Sequence, residues 1–195
     1  MSTTMIYMVR HGDSPKDGKE RTRGLTGKGL LDAQRITDRL KEEKVDVVVS
    51  SPYLRSILTV EKAGQQIGKE VVVIEDLKER IFSSAAERVS DKELVPLLEK
   101  SFLDPQFSLQ GGESNADCQK RAVNVLKGLL DTYRGKKVVV GTHGAIMTLM
   151  MAHFDPRFDL KFLHRTSKPD IYRMEFDGQE LVNVQRLWEV STPVQ

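Results

Sequence analysis

Four short apolar runs recur along the chain, and each stops at polar or glycine-marked residues. Residues 5–9 end at Arg10-His11-Gly12, and 45–49 at Ser50-Ser51-Pro52. Residues 71–74 end at Glu75-Asp76, and 138–140 at Gly141-Thr142-His143-Gly144. The runs are continuous and β-branched rather than alternating, the pattern of strands covered on both faces. Residues 171–176 and 181–188 alternate more and flank Asp177-Gly178, which predicts an antiparallel hairpin.

Helical spacing fills the gaps. Thr26 is placed to cap a helix with Leu30, Ala33, Ile36 and Leu40 on its apolar face. A second helix after Pro52 carries Tyr53, Ile57, Val60, Gly64 and Ile67. Ser90-Asp91-Lys92-Glu93 reads as a capping box before Leu94, Leu97 and Leu98. Ser114 opens a helix bearing Ala122, Val125, Leu126, Leu129 and Tyr133, and Gly144 leads into another with Ile146, Leu149 and Met150. The Met147, Met150, Met151 cluster reads as core packing. Residues 80–112 break the rhythm and read as an insertion of short helices, a lid over one end of the sheet. The alternation predicts a three-layer α/β/α sandwich, its sheet mostly parallel with an antiparallel edge strand, in a single domain spanning residues 1–195. Ligands of such sheets bind in the crevice at the carboxyl ends of the strands.

Composition narrows the classes. The chain has 195 residues, 39% hydrophobic and 30% charged, enough for one core. Thirty basic residues against 28 acidic ones imply no nucleic-acid footprint. The single cysteine, Cys118, excludes an internal disulfide framework and reads as an incidental thiol. Residues 1–10 lack a signal-peptide pattern, and no apolar window reaches the ~18 residues of a spanning helix. A cytoplasmic protein with no membrane partner is expected. Oligomeric state is left open.

Two histidines, His11 and His143, sit at strand ends, each followed by glycine. Arg10 precedes one, and Arg55 lies in the first turn of the helix after Pro52. Two guanidiniums and two imidazoles at one sheet mouth repel each other unless an anion joins them. Arginine forks and helix N-termini suit phosphate oxygens. Val9-Arg10-His11-Gly12, with Ser14 two residues on, resembles the signature of the histidine phosphatase superfamily, the phosphoglycerate mutase-like proteins. Further resemblances follow in family order: Gly24-Leu25-Thr26, Ser50-Ser51-Pro52 with Arg55 and Thr59, Leu77-Lys78-Glu79, Gly111-Gly112-Glu113-Ser114 with Arg121, and residues 140–144.

The resemblance implies a phosphoglycerate mutase-like fold and a phosphatase acting on a small phosphorylated substrate. His11 would be the nucleophile and Glu79 the general acid and base. Arg10, Arg55 and His143 would hold the phosphoryl group, with Ser14, Arg23, Thr142 and Gly144 as further substrate-binding positions. No cofactor or metal is called for, since the cationic side chains supply the electrostatics and no carboxylate cluster suits magnesium. Two alternatives remain: a cofactor-dependent phosphoglycerate mutase, and a non-catalytic phosphate-binding module. The chain departs from the family in two loops. Pro15-Lys16-Asp17-Gly18 lacks the expected asparagine, and Arg80-Ile81-Phe82-Ser83 replaces the glycine that usually follows the acid. Lys16, Lys19, Arg21, Arg23 and Lys28, interspersed with acids, read as a solvated loop; alternatively Arg21, Thr22 or Arg23 touches the substrate. His153 and His164 have no partner pattern and read as structural.

Overall fold

The computed structural model describes residues 2–190. Strands β1 (Thr4–Arg10), β2 (Val47–Ser50), β3 (Val72–Val73), β4 (Lys137–Thr142), β5 (Asp170–Asp177) and β6 (Glu180–Arg186) form one sheet in the order β3-β2-β4-β1-β5-β6. The first four are mutually parallel; β5 runs antiparallel to β1, and β6 antiparallel to β5. Helices α1 (Gly27–Glu43) and α2 (Leu54–Gln66) cover one face. There Ile36, Leu40, Val60 and Ala63 pack on Tyr7, Val9, Val48 and Val139. Helices α4 (Asn115–Thr132) and α5 (Gly144–Phe154) cover the other. Their Leu126, Leu130, Ile146 and Met150 meet Ile6, Met8, Val138 and Val140. Helices α3 (Asp91–Leu103) and α6 (Leu160–Arg165) lie at the carboxyl end of the parallel strands. Among the described residues no helix is long and apolar enough to cross a membrane. This is the expected three-layer, mostly parallel architecture.

Caps form where the sequence places them. Thr26 Oγ1 accepts from the Gly29 N–H, Ser90 Oγ from Glu93 and Ser114 Oγ from Asp117. Several details differ. Leu30 is 51% exposed, and the buried stripe of α1 runs through Gly29, Ala33, Ile36 and Leu40. Gly29 turns inward because the helix rests on the loop after β1. A Cβ there would lie 2.2 Å from the Asp13 carbonyl oxygen. β3 is an exposed two-residue edge strand rather than a covered one. The insertion contains one 13-residue helix, α3, after an irregular segment, instead of several short helices. Cys118 is fully buried in the core. Met147, Met150 and Met151 are core residues, whereas His153 and His164 are exposed.

Candidate active site

The carboxyl ends of β1, β2 and β4 bring Arg10, Ser50 and Thr142 to one edge, with backbone bonds continuing past them. The His11 N–H donates to the Thr142 carbonyl at 3.0 Å, and Ser51 N–H to Gly141 at 2.9 Å. Because β5 is antiparallel, its amino end lies at the same edge, where Asp170 pairs in register with Arg10. A cavity of about 540 Å³ opens there. Its basic side chains are Arg10, Lys19, Arg21, Arg23, Arg55, Arg80, Arg88 and Lys168, against the acids Glu20, Glu79 and Glu87. The remaining wall includes Phe82, Val89, Leu94, Leu98 and Leu163.

His11 is 6% exposed, at the cavity floor. Its Nδ1 lies 2.7 Å from the Gly12 carbonyl oxygen, which can only accept. Nδ1 therefore carries the proton, and Nε2 keeps its lone pair. Arg55 Nε–H donates to Nε2 at 3.3 Å. Burial, then the charges of Arg55 and Arg10, hold the His11 pKa well below its ordinary value. The loop stays fixed because the Gly12 N–H donates to Thr59 Oγ1 at 3.0 Å, while that hydroxyl donates to the Arg55 carbonyl.

His143 is fully buried, its ring centroid 5.2 Å from that of His11. Burial, then Arg55, keep it neutral as well. Its Nε2 lies 2.7 Å from Ser51 Oγ, which already accepts from the Tyr53 N–H. With Nε2 as the acceptor, the Ser51 hydroxyl donates to its lone pair and Nδ1–H is a buried donor without a partner among the described residues. Arg10 Nε is buried and unpartnered in the same way. Arg10 Nη1 bonds the carbonyl and hydroxyl of Thr166.

Glu79 sits at the N-terminus of α5, where its carboxylate accepts from the Ala145 and Ile146 N–H groups at 3.1 and 2.9 Å and from Arg80 N–H at 2.8 Å. Helix dipole and open amides favour an anion there. Arg121 supports the approach from behind. It donates to the Asp76, Lys78 and Glu79 carbonyls and pairs with Glu113, whose Oε1 accepts from the Ile81 N–H.

The sequence-derived set is therefore mostly convergent. Arg10, His11, Arg23, Arg55, Glu79 and Gly144 line the cavity. One position requires correction. Ser14 braces its own loop, donating to the Gly24 carbonyl at 2.7 Å and accepting from Arg23. Thr142, like His143, is fully buried and off the cavity wall, and its Oγ1 has no partner among the described residues. His143 lies behind His11, off the cavity wall. The charged loop is not simply solvated, since Arg21, Thr22 and Arg23 reach the wall. It also joins the segment before α3: Glu20 N–H donates to Ala86 and Arg88 N–H to Gly18.

Sequence reasoning missed Glu20. Its carbonyl and Oε2 accept from Arg55 Nη1 and Nη2 at 2.6 and 2.7 Å, and Oε1 accepts from Arg23 at 2.9 Å. Burial opposes the charge of Glu20, yet Arg55 and Arg23 together hold its pKa below the ordinary value. Tyr53, with Arg55 4.9 Å over its ring, and Lys168 were also missed.

The family model described as histidine phosphatase superfamily (branch 1) matches residues 6–188. Phosphoglycerate mutase-like protein 4 of Arabidopsis thaliana is 28% identical over 94% of this chain and 80% of its own length. The metal-independent phosphoserine phosphatase of the same plant is 31% identical over 74% of this chain and 66% of its own. Among solved structures, Bacillus stearothermophilus YhfR superposes with a TM-score of 0.79 at 23% identity, covering 96% of this chain and 98% of that one. A phosphoserine phosphatase variant from Entamoeba histolytica in complex with phosphoserine gives 0.75 at 25% identity, with 92% and 94% covered.

Proposed function

The chain belongs to the histidine phosphatase superfamily, branch 1, and on that premise we propose that it hydrolyses phosphomonoesters through a covalent phosphohistidine on His11. The observation that carries this reading is the tautomer of His11. Its Nδ1–H is committed to a carbonyl, which leaves Nε2 the basic nitrogen, at 3.3 Å from Arg55 Nε on a ring that lines a cavity rich in guanidiniums. The phosphoserine phosphatase relative and the Entamoeba histolytica phosphoserine phosphatase support hydrolysis, while the phosphoglycerate mutase-like relative keeps phosphoryl exchange as the alternative.

In the first step the Nε2 lone pair forms the N–P bond as the ester P–O bond breaks, and Glu79, entering the step protonated, gives its proton to the departing oxygen, after which the α5 amides stabilise the carboxylate that forms. In the second, water attacks phosphorus and gives a proton back to Glu79. The N–P bond breaks, Nε2 recovers its lone pair, and inorganic phosphate leaves. Splitting one displacement into two lowers each barrier. The Nδ1–H bond to Gly12 steadies the ring while it carries the phosphoryl group. Arg10 and Arg55 on the cavity wall are the donors assigned to the phosphoryl oxygens, and the unpartnered Nδ1 of His143, behind His11, is the polar atom that a phosphoryl group pressed onto the floor would reach. Such preorganised donors are each worth about 3–4 kcal/mol. Residues of the charged loop, Arg23 foremost, face the leaving group.

The test is hydrolysis of p-nitrophenyl phosphate by wild type and His11→Ala, together with trapping of an acid-labile, base-stable labelled protein. Wild type is expected to turn over and label, and His11→Ala to do neither. An inert wild type that still binds phosphate would favour a binding module. Isomer exchange on 3-phosphoglycerate outpacing phosphate release would favour a mutase.

A further inference from the structure

Beyond the reacting end, the cavity has a second polar feature that the phosphoryl chemistry does not use. Lys168 lies just before β5, two residues past the Thr166 that anchors Arg10. It lines the wall with His11. Of the other cations of that wall, Arg55 and Arg23 are matched to Glu20, Arg21 to Glu75 and Arg88 to Asp91, whereas Arg10, Lys19 and Arg80 form no ion pair among the described residues. Lys168 has no hydrogen-bond or ion-pair partner among the described residues. Its charged neighbours are Arg10 toward the reacting end, with Arg88, Arg23 and Asp91 beyond. Lys168 is exposed to the open cavity, and partial desolvation of its ammonium there, then the charges of Arg10 and Arg88, lower its pKa to about 8. An ammonium kept in such a place is stabilised by an anion brought from outside. The adjoining wall, Leu94, Leu98, Leu163 and Phe82, is apolar. At about 540 Å³ the cavity has the size of a small-molecule site rather than of a phosphoryl group alone.

We infer that Lys168 forms a second anion subsite, and that the natural substrate is a phosphomonoester whose leaving group joins an apolar body to a further carboxylate or phosphate. The inference rests on the phosphatase reading and adds to it a specificity-determining residue. The phosphoryl group would occupy the Arg10–Arg55 end, the apolar body the leucine wall, and the second anion the Lys168 ammonium between Arg10 and Arg88. One charge-assisted hydrogen bond contributes roughly 10- to 100-fold in binding.

The test compares phenyl phosphate with 3- and 4-carboxyphenyl phosphate on wild type, Lys168→Met and Lys168→Arg. The readout is the ratio of kcat/KM between carboxylated and plain esters. Wild type is expected to favour one carboxylated ester by at least ~10-fold, mainly through KM. Lys168→Met should collapse that ratio to near one, and Lys168→Arg should restore part of it. A wild type without preference overturns the subsite, as does a Lys168→Met variant that slows both esters equally and keeps the ratio. A wild type that hydrolyses neither ester overturns the phosphatase reading itself, and this inference with it.

Discussion

Gly144→Ala separates activity from stability, because the added methyl group meets a functional side chain rather than the core. A Cβ at Gly144 would lie 2.8 Å from both Cζ and Nη2 of Arg10 and 3.0 Å from Nε, well inside van der Waals contact. Arg10 cannot simply lean away, since Nη1 is tied to Thr166. Nor can the first turn of α5 easily retreat, because its amides hold Glu79 and the Gly144 carbonyl accepts from Thr148. The guanidinium must therefore leave its position. Loss of one aimed donor costs about 10²–10³ in kcat. Stability moves far less: overpacking costs about 1–3 kcal/mol, and replacing glycine recovers about 0.4–1. At about 2–4 °C per kcal/mol for a chain this size, the Tm should fall by no more than roughly 10 °C. The assay is p-nitrophenyl phosphate hydrolysis alongside thermal unfolding, with Arg10→Ala and the double variant completing a cycle. If the methyl group acts through Arg10, adding it to Arg10→Ala costs less than about threefold, far short of a second independent loss. Full activity in Gly144→Ala, or losses that multiply in the double variant, would refute the reasoning.

The sheet and the reacting residues were legible because one rule carries both. Continuous β-branched runs mark buried parallel strands, and the residues just past them share one edge. Arg10, His11, Arg55 and Glu79 all follow that rule and all reach the cavity. It fails for β5, whose amino end meets the same edge because the strand is reversed. Thr166 and Lys168 therefore sit where a search of carboxyl ends never looks. Glu20 was hidden differently. A carboxylate among lysines and arginines reads as local charge balance, and only the tertiary fold shows that its partner is Arg55, 35 positions away. Ser14 failed because nearness in sequence to a catalytic motif is not exposure to its ligand. Its hydroxyl braces a turn instead. Leu30 failed because a glycine, invisible to hydrophobic periodicity, sets which side of α1 faces the sheet.

Three further outcomes are expected. Thr59→Val strips the buried Gly12 N–H of its acceptor and should cost about 1–3 kcal/mol by urea unfolding, whereas Thr59→Ser should not; equal losses would point to packing instead. Glu79→Gln should slow phenyl phosphate about 10²–10⁴-fold but p-nitrophenyl phosphate far less, since p-nitrophenolate leaves without a proton; equal slowing would remove Glu79 as the acid. Stability should fall between about pH 7.5 and 5.5 through the two site histidines. Both folded pKa values are lowered, chiefly by burial and then by Arg55, whereas the unfolded chain takes up protons near about 6.5. The unfolded state then binds more protons below that pH, so acid favours unfolding. For an imidazole neutral throughout in the fold, the loss over this window is RT ln(11/1.1), about 1.4 kcal/mol, or about 2.7 for the pair. His153, exposed and also lowered, adds a smaller share of the same sign. The lowered carboxyls of Glu20 and Asp91 lose their contributions only as pH falls below their ordinary values, beneath this window. Urea unfolding at both pH values measures the fall, and His143→Gln should reduce it by about 1.4 kcal/mol. An unchanged fall in that variant would mean that His143 is charged in the fold, and with it the neutral pair behind the cavity floor would be lost.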